Sequence, residues 1–141
     1  MAFSSALIAL AALIAVTVVA GAIWRARDGR RRRGSDAVDL TDLGVTVGRV
    51  TLVQFSTETC TRCPQVRRML RGIASAHPGV EHVDVDLTHR PDLTARHHVL
   101  STPTTFVISA DAVLVARFTG APRRADVEAV LSELPALQEA S

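Results

Sequence analysis

The chain has 141 residues, enough for about one domain. Hydrophobic residues make up 48% and charged residues 21%, which excludes a disordered polyampholyte. The net charge is +2, but residues 1–35 hold six Arg and one Asp (+5) and residues 36–141 hold ten Arg and 13 acids (−3), so the mildly acidic body excludes a basic nucleic-acid face.

Residues 2–24 carry no charge and are dominated by Leu, Ile, Val and Ala. About 20 apolar residues in helix cross a bilayer core, where every backbone polar group must be satisfied internally. Trp24 closes the run, a place that suits an interfacial ring. Arg25, Arg27, Arg30, Arg31, Arg32 and Arg33 follow at once. The pattern predicts a transmembrane anchor over 1–24. A cleaved signal peptide competes with it, because Ala20-Gly21-Ala22 resembles a cleavage site. The absent positive n-region, the length of the apolar run and the Arg cluster behind it favour the anchor. Those arginines should remain on the cytoplasmic side. The expectation is therefore a single-pass protein of the cell membrane with its soluble domain in the cytoplasm. The same cluster can gather anionic membrane lipids, at about 1 kcal/mol per residue near the surface.

Residues 25–47, with Gly29, Gly34 and Gly44, read as a basic juxtamembrane segment and linker, with a short strand near 45–47. A small α/β domain is expected over 48–135. Residues 49–55 are β-branched and apolar and predict a buried strand. Residues 61–76 place Val66, Met69, Leu70, Ile73 and Ala74 on one helical face, and His77-Pro78-Gly79 ends that helix. Residues 80–86 alternate and predict a second strand. Pro91 opens a short helix to about 98. Residues 104–109 and 113–118 suit an antiparallel hairpin, and 126–134 a last helix with Val127, Val130, Leu131 and Leu134 inward. A flexible tail should occupy 136–141. The order is β-α-β-α-β-β-α: a parallel first pair, a hairpin extending the sheet, and helices on both faces.

Cys60 and Cys63 are the only cysteines, too few and too close to staple a fold. They fall where the first strand gives way to the first helix. A helix N-terminus offers unpaired N–H groups and a partial positive charge, which stabilise a thiolate at Cys60. Two intervening residues bring Cys63 one turn later, within disulfide reach. Thr61 and Arg62 fill the gap, and Arg62 adds a positive charge between the sulfurs. Zinc is the rival use of two thiolates, but it needs two more ligands. The histidines are His77, His82, His89, His97 and His98. Adjacent His97 and His98 point about 100° apart on a helix, so both do not easily reach one ion. No metal and no cofactor is expected.

The segment VTLVQFSTETCTRC at 50–63 resembles the strand, loop and active-site turn of the thioredoxin family. VDVD at 83–86 is similar to that family's next strand, Thr102-Pro103-Thr104 to its cis-proline segment, and Gly120-Ala121 to the glycine after its final strand. The resemblance covers roughly 48–134. It implies a thioredoxin-like fold and a thiol–disulfide oxidoreductase. Cys60 would attack a client disulfide and Cys63 would resolve the mixed disulfide. Thr102 and Pro103, joined by a cis peptide, would hold the client strand. Protein disulfides would be the substrates, and another dithiol or a reductase the electron donor. The chain departs from the family at Thr59, where Trp is usual, at Thr61-Arg62, where Gly-Pro is frequent, and at Arg68, which replaces a kink proline. Gln54 stands where a buried Asp often handles the proton of the second Cys, and Gln54 cannot titrate. The family's first strand–helix pair is missing or vestigial. A redox-inert interaction domain, or an extracytoplasmic reductase of the kind that supports cytochrome c maturation, are the alternative functions.

Overall fold

A computed structural model describes residues 2–27, 30–32 and 40–134. The expected tail at 136–141, and residues 28, 29 and 33–39 of the expected linker, lie outside the described residues. The first helix, α1, runs Ala2–Arg27, 26 residues or about 39 Å at 1.5 Å per residue. Side chains are described only for residues 7, 8 and 10–23 of it, and among them Leu7, Ile8, Leu13 and Val16 are exposed. Among the described residues no helix is long and apolar enough to cross a membrane. The side chains of the Arg cluster at 25–33 lie outside the description.

The body is one mixed sheet with helices on both faces. Its strands are β1 (Arg30–Arg32), β2 (Val50–Ser56), β3 (Val80–Asp86), β4 (Thr104–Ile108) and β5 (Leu114–Thr119), in the order β1-β5-β4-β2-β3. The β2–β3 pair is parallel; β4 runs antiparallel to β2 and to β5. The helices are α2 (Cys63–Ala76), α3 (Asp92–Arg96) and α4 (Arg124–Ser132).

Alternation along β2 divides the core. Val50 and Leu52 pack with Val66, Leu70 and Ile73 of α2 and with Val127, Val130 and Leu131 of α4. Val53 and Phe55 face the other way, onto Phe106, Leu93 and the pair Leu40 and Leu43 beside a 3-10 turn at Thr41–Leu43. Residues i and i+2 of a strand share a face, so Gln54 lies on the α2 side with Val50 and Leu52. Leu114, Ala116 and Phe118 should likewise share a face, yet Leu114 belongs to the α3 layer and the other two to the α2 layer. A register shift at Val107/Ile108 explains it: Val107 pairs Ala116, Ile108 pairs Leu114, and the extra residue Val115 flips the strand.

Three expectations need correction. The linker contains β1, which pairs Arg30, Arg31 and Arg32 with Thr119, Phe118 and Arg117 at the free edge of β5. Residues 45–47 form no strand; the chain turns there, and the Gly48 N–H donates to Ala110 O at 2.8 Å. Gly48 has φ +92, a conformation that glycine adopts without steric cost. Helix α2 starts at Cys63 rather than residue 61, because a tight turn, Cys63 N–H to Cys60 O at 3.4 Å, precedes it.

Candidate active site

The Cys pair sits between the C-terminal end of β2 and the first turn of α2. Cys60 N–H donates to Thr57 O at 3.2 Å, and Cys63 N–H to Cys60 O. Pro64 occupies the first helical turn, where a missing N–H breaks no helical bond. Cys60 and Cys63 are joined in a disulfide with Cα atoms 5.5 Å apart. The two sulfurs are not equivalent. Cys63 shares the inward face of α2 with Val66 and Leu70 and is 1% exposed. Cys60 is half-buried, and Thr61 and Arg62 are exposed beside it.

A polar layer lies under the start of α2. Gln54 is fully buried; its Nε2 donates to Cys63 O at 3.0 Å, and its Oε1 lies 3.3 Å from Nε2 of His82. Burial holds the His82 imidazole below its usual value; Asp84 opposes that shift, and Arg71 and Arg67 add to it. Ser56 Oγ donates to Asp84 Oδ1 at 2.8 Å, while the Arg67 guanidinium clasps Oδ2 of the same carboxylate. Gln54, Ser56, His82 and Asp84 share the α2 face of the parallel pair β2–β3, with Ser56 at the carboxyl end of β2, the side on which an open α/β sheet leaves room for chemistry.

The second wall is the loop before β4. The Thr102–Pro103 peptide is cis, Pro103 is buried, and its carbonyl accepts the Gly120 N–H at 2.9 Å. Thr102 Oγ1 lies 3.2 Å from Thr57 Oγ1. Thr57, whose carbonyl anchors Cys60, thus ties the proline loop to the cysteine turn. Arg117 on β5 braces the same loop from behind: Nη2 donates to His97 O at 2.8 Å and Nη1 to His98 O at 3.0 Å, with the guanidinium 4.4 Å over the Phe106 ring.

Cys60, Cys63 and Gln54 are therefore brought together, Thr61 and Arg62 form the rim, and Thr102 and Pro103 join through Thr57. His97 goes elsewhere. It is 1% exposed and its ring lies 5.8 Å from that of Phe55 and 6.2 Å from that of Phe106, in the layer opposite α2. Among the described residues the group with metal-ligand spacing is Glu58, Asp86 and His89, which includes neither Cys. Sequence reasoning missed Thr57, His82 and Arg117 as members of the site. The alternation of 80–86 puts His82 on one face with Asp84, but only the strand register brings that face under α2.

A family model described as thioredoxin matches residues 45–133. Among solved structures, a thioredoxin of Fasciola hepatica superposes with a TM-score of 0.54 at 27% identity, covering 61% of this chain and 81% of that one. Mitochondrial thioredoxin 3 of Saccharomyces cerevisiae, in its oxidised form, gives 0.54 at 23% identity, covering 62% and 80%. Thioredoxin-2 of the malaria parasite gives 0.56 at 19% identity, covering 60% and 82%. No curated protein matches the chain. With the family match running from β2 through α4 and the bridged CxxC pair heading α2, the chain belongs to the thioredoxin family of thiol–disulfide oxidoreductases.

Proposed function

We propose that this protein is a membrane-tethered reductase of protein disulfides, working through the Cys60–Cys63 dithiol on the cytoplasmic side of the cell membrane. The observation that carries the chemistry is the unequal exposure of the pair, Cys60 open to a client and Cys63 buried behind it. The Cys60 thiolate attacks one sulfur of a client disulfide. A Cys60–client bond forms, and the other client sulfur leaves as a thiolate that takes a proton from solvent. Cys63 then gives up its proton and attacks the Cys60 sulfur. The Cys60–Cys63 bond forms, the second client thiolate leaves, and two electrons have passed to the client. An upstream dithiol or reductase returns the pair to its reduced form. The backbone at Thr102 and Pro103 receives the client strand, and Thr61 and Arg62 flank it.

The charge-free run of 2–24, its helical backbone in α1 and the six Arg that follow support the tether and its orientation. Anionic lipids are the expected partners of that Arg cluster.

The full-length chain in detergent should reduce insulin disulfides with dithiothreitol as donor. Cys60→Ser should abolish turnover, and Cys63→Ser should trap Cys60–client adducts. Equal turnover in wild type and Cys60→Ser would end this reading. Neither turnover nor adducts would leave a redox-inert binding domain. Reporters active on one side of the membrane, fused to the C-terminus, test the orientation. A signal from the outer face would move the same chemistry to an extracytoplasmic reductase role.

A further inference from the structure

The buried amide of Gln54 has one orientation compatible with its neighbours. Its partner on α2 is the carbonyl of Cys63, an acceptor, so the NH2 group must face it. Reversing the amide would set two oxygens against each other in a dry layer. The Gln54 Oε1 then faces His82, and an amide oxygen can only accept. His82 must therefore carry its proton on Nε2. The chain His82 Nε2–H to Gln54 Oε1, and Gln54 Nε2–H to Cys63 O, runs in one direction, and each bond polarises the next.

We propose that His82 is a positioning residue for the resolving half of the reaction, holding Cys63 through Gln54. Cys63 is the first residue of α2, and its Sγ has to turn toward the Cys60 sulfur of the mixed disulfide. A donor on His82 keeps the Gln54 amide from rotating, and the amide keeps the Cys63 carbonyl in place. Without that donor Gln54 loses the contact that fixes its oxygen. The charged groups facing His82 are Asp84 on its own strand and Arg67 and Arg71 on α2; Arg67 is engaged by Asp84. Burial keeps the ring neutral at pH 7. Acid adds a proton at Nδ1, and the imidazolium then brings positive charge toward Cys63, favouring its thiolate. The structure thus supplies a titrating group behind a glutamine that does not titrate.

The inference rests on the dithiol reading above, and one assay separates the two. The reduced full-length chain in detergent is mixed with the aromatic disulfide dithiobis(nitrobenzoate). Cys60 attack releases one coloured aryl thiolate and leaves a Cys60–aryl disulfide. Cys63 attack on the Cys60 sulfur releases the second aryl thiolate and closes the protein disulfide, the Cys63 proton going to solvent. The first phase should be unchanged in His82→Gln and His82→Leu. The second should slow by roughly five- to tenfold in His82→Leu, about the effect of losing one oriented hydrogen bond. His82→Gln, which keeps an N–H donor at similar reach, should stay within about twofold of wild type. The second phase of wild type should also decline less steeply toward acid than that of His82→Gln. A second phase in His82→Leu as fast as in wild type would overturn the inference, as would equal slowing in both variants. A missing first phase in wild type would instead overturn the dithiol reading.

Discussion

Replacing Arg117 by Gln should open the loop that leads into Thr102–Pro103. Arg117 gives two hydrogen bonds to consecutive carbonyls, His97 O and His98 O, and lies over the Phe106 ring. His98 has φ +49, a left-handed conformation that few non-glycine residues adopt, so the loop needs an external brace. A half-exposed hydrogen bond contributes about 1 kcal/mol and the ring contact about 0.5–1 kcal/mol. Together the loss is about 2–3 kcal/mol, or roughly a 30- to 150-fold larger opening constant for that segment. Hydrogen–deuterium exchange reads this directly at the amides of His97, His98 and Val99, which are bonded to Leu93 O, Ala95 O and Thr94 O. The β2 amides of Leu52 and Val53 serve as the reference. Arg117→Lys keeps the charge but not the forked geometry and should fall between. Exchange at 97–99 within about twofold of wild type, or an equal rise across β2, would refute the brace.

Other outcomes follow from the same geometry. Phe106→Ala removes a fully buried ring packed edge-on to Phe55 at 4.8 Å and should cost about 3–5 kcal/mol in chemical denaturation, with a smaller loss for Phe106→Leu. Asp84→Ala leaves the Arg67 guanidinium and Ser56 Oγ without their acceptor and should cost about 1–3 kcal/mol by the same measurement, whereas Arg123→Ala, on an exposed pair with Asp126, should cost less than about 1 kcal/mol. His82 sets a pH dependence of stability. Its folded value is lowered, chiefly by burial, so just below pH 6.5 the unfolded chain binds a proton that the folded one does not. This contribution is complete above that pH and is lost as pH falls toward the lowered value; denaturation midpoints across pH 5–8 should show it in wild type and a flatter profile in His82→Gln.

Much of the body could be read from the chain because burial and strand pattern coincide there. The strand expected at 49–55 is β2 at Val50–Ser56, buried on both faces as a central strand requires, with Arg49 exposed just before it. The alternation at 80–86 matches β3 at Val80–Asp86. The inward face of α2 appears as expected, with Val66, Leu70 and Ile73 all buried. What escaped is what depends on pairing rather than pattern. Nothing apolar marks Arg30, Arg31 and Arg32 as a strand; the β5 edge recruits them through backbone bonds that any residue can make. The Val115 bulge leaves no trace in the unbroken apolar run Val113–Ala116, where no polar residue marks the change of face. The Cys pair was legible from its spacing at a strand–helix junction, and Gln54 and Pro103 from the positions they match in the thioredoxin family. Thr57, His82 and Arg117 were not, because each acts through a partner distant in sequence: Thr102, Gln54 and the carbonyls of 97 and 98.

The most direct test is to reduce the full-length chain and alkylate it at pH 7 with a limiting amount of iodoacetamide, following each cysteine by mass spectrometry. Cys60 should be labelled first and faster than an unstructured thiol peptide, with Cys63 largely protected. Labelling of Cys63 ahead of Cys60, or a Cys60 rate no greater than that of the peptide, would contradict the assignment of Cys60 as the attacking sulfur.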